Sequence, residues 1–303
     1  MYGRRRAIYA RQRKNIKIMG KVFKGLIFDN QVSLTIIDST DIVNKAIGFH
    51  KLTPLTAAAL GRSLTACVFM CSTMKDADDR LSVTIDGGGV GGKIVVCGDS
   101  SLKVRGSIEN PSAVLPPNSK GKLDVAGCVG SQGKITVVRA NGNHTPYVGS
   151  CNIVSGELAE DFAAYYAYSE QQPTAMALGV RVNKEGLCLG AGGVIFQPLP
   201  DTQEENIVKI EKILPDLNDV SYLIETLGAK GIKDKYFAEY DLEESFAEYK
   251  CICSDEYIDK IVLSLGKAEC EDILKKEGKI EVCCHFCDKK YTYSKEDIDK
   301  LFG

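Results

Sequence analysis

Residues 251–287 read CICSDEYIDKIVLSLGKAECEDILKKEGKIEVCCHFC, and the cysteines in this stretch decide what the C-terminal part of the chain is. Cys251-Ile-Cys253 is followed 30 residues later by Cys284-His-Phe-Cys287. Two close pairs separated by a loop are what a tetrahedral zinc site requires, because each pair supplies two thiolates from one turn. Residues 251–303 alone cannot bury enough apolar core to be secure, so a metal staple is expected there. In peptide modules zinc binding is worth about 10–16 kcal/mol, and that binding energy is folding energy. Cys251, Cys253, Cys284 and Cys287 are therefore the expected ligands of one zinc ion. His285 lies between two better-placed cysteines and is discounted. The first pair is C-x-C rather than the C-x-x-C of purely structural ribbons. A zinc-held thiolate is already deprotonated and open to oxidants, so oxidation would remove the ligands and with them the staple. The same spacing is equally compatible with an inert structural zinc site.

N-terminal to this unit, residues 201–250 carry 13 Asp and Glu against 6 Lys and no Arg. Ile207, Ile210, Leu214 and Leu217 recur at helical spacing, with Pro215 expected to end or kink that helix. A second short helix, DVSYLIETLG (219–228), is expected to stop at Gly228. These narrow apolar faces must dock on something else to be stable. Residues 200–250 thus read as a helical linker, 251–303 as the zinc domain, and 19–199 as a core domain.

The core reads as many short strands around a few helices. KVFKGLIF and VSLTIID are strands joined by the turn-forming Asp29-Asn30. TPLTAAALGRSLTACVFMCST (53–73) is a buried helix, with Thr53 as N-cap and Pro54 at the first helical position. LSVTID, KIVVCGD, LKVRGSIE, KITVVRA and YVGSCNIV follow as β segments. SGELAEDFAAYYAYSEQ (155–171) reads as a helix with acids near its start. LGVRVN and LCLGAGGVIFQPL close the core as strands. Helices and strands do not alternate regularly, so the fold class is α+β with a largely antiparallel sheet.

The chain has 303 residues, 44% hydrophobic and 26% charged, as a folded globular protein does. It has no run of 18 apolar residues and no apolar signal-peptide core, so neither a membrane span nor export is expected. The net charge of −2 argues against a dedicated nucleic-acid binder. Arg4, Arg5, Arg6, Arg11, Arg13, Lys14 and Lys17 make residues 1–18 a basic leader, leaving 31 basic against 40 acidic residues elsewhere. It reads as a loose tail ahead of a start at Met19, the alternative being a transit peptide or RNA-binding arm. Without export, the twelve cysteines should stay largely reduced.

Other motifs carry less. DGGGVGGKI (86–94) fits G-x-G-x-x-G through Gly87, Gly89 and Gly92, and nearly fits a phosphate loop through Lys93, with Ile94 in place of Ser or Thr. Both mechanisms need a helix after the glycines, whereas KIVVCGD reads as a strand, so a glycine-rich hairpin is expected. His50, His144 and His285 are the only histidines, and no G-x-S-x-G elbow is present. No catalytic constellation is picked out. Cys67, Cys71, Cys97 and Cys188 lie in apolar segments and read as small buried hydrophobes.

Together these residues resemble the 33-kDa redox-regulated heat-shock chaperones, the heat-shock protein 33 family, from about Met19 to Phe302. The C-x-C and C-x-x-C pairs match the family's signature. LTPLTAAALGRSLTA (52–66), ENPSAVLPPNSKGKLDVAGCVG (109–130), VSGELAEDFAAYYAYSEQQPTAMALGVRV (154–182) and LSLGKAECEDIL (263–274) resemble it as well. The resemblance implies a cytoplasmic, ATP-independent holdase and not an enzyme, nearly inactive when reduced and zinc-loaded. Peroxide or hypochlorous acid with heat would form disulfides Cys251–Cys253 and Cys284–Cys287 and expel zinc. Linker and zinc domain would then unfold and expose apolar surface to unfolding client proteins, commonly as a homodimer. Cys283 and Cys270 are extra, and six cysteines allow 15 complete pairings, so the disulfide pattern is less secure than in a four-cysteine member. The alternative is a constitutive zinc-ribbon module binding protein or RNA without redox switching. An oxidoreductase using C-x-x-C is disfavoured because zinc would block the thiols.

Overall fold

The computed structural model describes residues 19–142 and 145–303; the basic leader and His144 lie outside the described residues. Chain order begins with β1 (Gly20–Ile27), β2 (Val32–Asp38), α1 (Thr40–His50) and α2 (Pro54–Ser72). β3 (Asp79–Asp86), β4 (Ile94–Asp99), β5 (Lys103–Ile108), α3 (Val125–Val129), β6 (Lys134–Asn141) and β7 (Tyr147–Asn152) follow. Next come α4 (Ala159–Tyr168), β8 (Ala175–Val182), β9 (Cys188–Pro198), α5 (Glu204–Leu217), α6 (Val220–Tyr236) and β10 (Glu243–Tyr249). The chain closes with α7 (Asp255–Leu265), α8 (Lys267–Glu277), β11 (Ile280–Cys283), β12 (Lys290–Tyr293) and α9 (Lys295–Phe302).

Ten strands form one sheet in the order β7-β6-β3-β4-β5-β10-β1-β2-β9-β8, and β11-β12 form a separate hairpin. Every pairing in the large sheet is antiparallel except β10 with β5, as the α+β expectation required. Asp29 and Asn30 take left-handed φ of 55° and 62° in the β1–β2 turn, a conformation these two residue types tolerate.

α2 is the spine of the core. The Thr53 hydroxyl accepts the Thr56 N–H at 3.2 Å, and Pro54 opens the helix. By length and composition α2 could cross a membrane, but 89% of that stretch is buried inside the protein, beneath the sheet. Gly98 lets it approach, since a Cβ there would stand 2.5 Å from the Cys71 sulfur. The glycine-rich loop leads into β4, as a hairpin, and Gly89 and Gly91 donate to the carbonyls of Val129 and Cys128.

Four details differ from the sequence expectation. α1 was not anticipated. α4 starts at Ala159 rather than at residue 155, because Gly156 and Leu158 take positive φ and Asp161 binds the N–H groups of that lead-in. Pro215 does not end α5; it sits in the last turn, and the helix runs on to Leu217. Gly228 does break α6, with φ 67° and ψ 172°, yet a further helical stretch runs on to Tyr236.

The linker helices dock as expected. Ile210, Leu217, Val220, Ile224 and Ile232 are buried against Phe23, Leu34, Ile36 and Phe196, on the face of the sheet opposite α2. The segment is not wholly helical, however: its last part is β10, which fills a central place in the sheet.

Candidate metal centre

Lys250 alone separates the end of β10 from Cys251. After Cys253, Ser254 caps α7 by accepting the Tyr257 N–H at 3.2 Å. α7, α8, β11, β12 and α9 surround a small core of Ile258, Val262, Cys270, Ile280, Tyr291 and Ile298. The turn between β11 and β12 is a knuckle: Cys284 N–H donates to Lys289 O, and Cys287 and Asp288 N–H both donate to Cys284 O. It turns the second cysteine pair back onto the first.

The sulfurs of Cys251, Cys253, Cys284 and Cys287 all lie within 4.8 Å of one another. Cys251 and Cys284 are 3.5 Å apart, and Cys253 and Cys287 3.4 Å. A tetrahedron with zinc–sulfur bonds of about 2.3 Å has edges of about 3.8 Å, so the four sulfurs fit such an ion. All twelve cysteines are free thiols, and these two short contacts run between the pairs rather than within them. Burial pushes the Cys251 thiol well above its ordinary range and Cys287 up to about 11. At Cys253 burial is outweighed by hydrogen bonds from Tyr291 and the other three sulfurs, which bring it down to about 7. A bound dication would favour the ionised form of every sulfur that it touches.

The remaining candidates separate cleanly. His285 is exposed and outside the cluster. Cys270 is buried, its sulfur 3.7 Å from the Val262 carbonyl. Cys283 is exposed and points to Asp288, at 3.3 Å, instead of joining its neighbour Cys284. Cys67, Cys71 and Cys188 are buried in the core domain as expected, and Cys97 is half-buried.

Sequence reasoning missed the residues that seat this unit on the large sheet. Phe286, between the second pair of cysteines, lies under the Arg105 guanidinium, 5.1 Å from its ring centre. The Tyr249 hydroxyl is 2.5 Å from the Phe286 carbonyl oxygen and 2.9 Å from that of Gly106. His50 Nε2 is 3.0 Å from the same Gly106 oxygen, and the Phe49 ring packs on Tyr249. An aromatic inside C-x-x-C was the one available signal, since such a tip must lie on something to be shielded.

The family profile described as Hsp33 protein matches residues 20–294. This chain belongs to the Hsp33 family. Relatives bearing the name 33 kDa chaperonin include that of Caldanaerobacter subterraneus, 40% identical over 92% of this chain and 97% of the relative. That of a Geobacillus species is also 40% identical, over 92% of this chain and 95% of its own. The crystal structure of the 33 kDa chaperonin (heat shock protein 33 homolog) of Thermotoga maritima superposes with a TM-score of 0.85 at 35% identity, covering 94% of this chain and 98% of that one. Within this Hsp33 chain, the four-cysteine cluster is the group of potential metal ligands found among the described residues.

Proposed function

We propose that this Hsp33-family chain is a redox-switched, ATP-independent holdase chaperone of the cytoplasm, with unfolding polypeptides as its clients. The observation that carries the reading is the convergence of Cys251, Cys253, Cys284 and Cys287 next to the strand that ends the linker. The name 33 kDa chaperonin, shared by the relatives, supports a chaperone rather than an enzyme. Residues 19–199 serve as core domain, 200–250 as linker and 251–303 as switch.

Cys251, Cys253, Cys284 and Cys287 would hold one zinc per chain, which would keep their sulfurs ionised and tie the switch together. The chain's own thiolates do the sensing. In each pair, two thiolates give up two electrons as one S–S bond forms, and one hydrogen peroxide takes those electrons and two protons to become two waters. Disulfides Cys251–Cys253 and Cys284–Cys287 consume two peroxides and remove all four donors. The knuckle then loses its shape, and Phe286 no longer meets Arg105 and Tyr249. The linker helices, which bury Phe23, Leu34, Ile36 and Phe196, come away and leave that apolar face for clients. The active form is a homodimer, and no membrane or nucleic acid takes part.

Peroxide treatment with a zinc-sensitive dye, followed by disulfide mapping, tests this. The reading expects about one zinc released per chain, with disulfides inside each pair. Zinc retained after oxidation, or bonds running Cys251–Cys284 and Cys253–Cys287, would contradict it.

A further inference from the structure

β10 belongs to the linker in sequence and to the middle of the core sheet in space. It runs antiparallel to β1 from Gly20↔Ala247 to Lys24↔Glu243, and parallel to β5 over Glu248↔Lys103 and Tyr249↔Val104. The two sides hold it unequally. On the β5 side, Glu248 N–H donates to Leu102 O at 3.0 Å and Lys250 N–H to Val104 O at 2.8 Å. Farther along β5, on the edge that faces β10, the backbone of Gly106 meets the Tyr249 hydroxyl and His50 Nε2. In the other direction β10 and the start of β5 part, and a cavity of about 210 Å³ opens between Glu243, Ser245, Val22, Lys24, Ser100 and Leu102. Beneath β10, Ala247 and Tyr249 pack into the same core as Val22, Leu102 and Val104.

We infer that the slot between β1 and β5, filled by β10 in the closed form, binds an extended segment of an unfolding polypeptide once β10 has left it. This rests on the redox-switch reading, which frees the linker. When β10 leaves, the β1 groups between Gly20 and Lys24 that pair with it, and the carbonyls of Leu102 and Val104 on the β5 side, lose their partners, and burying them unpaired is costly. A gap in a sheet is satisfied by the main chain of any extended segment, which suits a binder of many sequences. β10 itself shows what fits. Ser245, Ala247 and Tyr249 face the core, while Glu244 faces outward and pairs with Lys21 at 3.0 Å. Lys24, partly buried in the cavity, feels Glu243. The preferred occupant is therefore an extended stretch, antiparallel to β1, with small or aromatic residues at alternate positions and an acidic first end.

The probe is the fluorophore-labelled peptide of residues 243–250, titrated with the full chain and followed by fluorescence anisotropy. Saturable binding is expected with the oxidised protein. With the reduced, zinc-loaded protein it should be at least about tenfold weaker, because resident β10 competes at a high effective concentration. A Glu248→Pro peptide lacks the N–H that pairs with Leu102 and should bind neither form. Excess unlabelled peptide should also reduce the oxidised protein's suppression of aggregation over the same concentration range. Oxidised protein that suppresses aggregation but does not bind the peptide, or binds the proline peptide equally well, overturns the inference. So does β10 remaining protected from hydrogen exchange in an oxidised dimer, which would mean that a second copy's strand fills the slot. If the oxidised protein suppresses no aggregation, the switch reading fails instead, and peptide binding still judges the slot.

Discussion

Asp161 shows how one buried side chain sets local structure. Its two carboxylate oxygens accept the N–H groups of Val154, Ser155, Gly156 and Leu158, and it is 1% exposed. Asp161→Ala leaves those donors without a partner and should cost about 3 kcal/mol in chemical denaturation, with zinc content unchanged. His50 makes a pH prediction. Burial lowers its pKa from the ordinary 6.5, against the opposing pull of the Gly106 carbonyl and Asp288. The unfolded chain therefore takes up the proton first as pH falls. The stability tied to neutral His50 is fully present above 6.5 and is lost as pH drops from there through the lowered folded value. The thermal midpoint should fall between about pH 7 and about pH 5.5, and fall less in His50→Gln. Cys283 points at Asp288, away from the cluster, so Cys283→Ser should still bind one zinc, as elemental analysis would show. Here the sequence was most legible for the four clustered cysteines, whose spacing alone singled them out. It was silent on Arg105 and Tyr249, which meet Phe286 only through the fold, and on His50, which joins Tyr249 at the Gly106 carbonyl.

At the scale of elements, local signals were read correctly wherever one residue type settles the backbone. Thr53 and Pro54 start α2, Asp29-Asn30 turn the first hairpin, and Gly228 interrupts α6. They misled where tertiary contacts decide. Pro215 lies in the last turn of α5, where it has no N–H to give the Glu211 carbonyl, and the helix still runs on to Leu217. EESFAEY did not read as a strand, since its three glutamates hide an alternation that only Ser245, Ala247 and Tyr249 carry on the core-facing side. β10 and the knuckle share the Tyr249–Phe286 contact, so weakening it should loosen the switch without touching a sulfur. Arg105→Ala combined with Tyr249→Phe is expected to give a reduced, zinc-containing protein that suppresses aggregation measurably without oxidant. Activity as low as that of the unaltered reduced protein would mean the contact is not part of the restraint.

For the whole molecule, stability is divided. The core sheet closes over α2 and has a large apolar interior, whereas residues 251–303 enclose only a small cluster around Ile258, Val262 and Cys270. A strong chelator should therefore unfold the C-terminal unit while leaving the amides of β2, β4 and β9 protected from hydrogen exchange. The linker lies between these two levels, its helices resting on the sheet and its last strand tied to Cys251 through Lys250. In the proposed switch, that arrangement couples the state of four sulfurs to the exposure of an apolar face. The most direct test is light scattering from a thermally unfolding test protein, mixed with this protein either reduced and zinc-loaded or treated with peroxide at raised temperature. The account predicts suppression of scattering by the oxidised form and little by the reduced form. Equal suppression by both forms, or none by either, would contradict it.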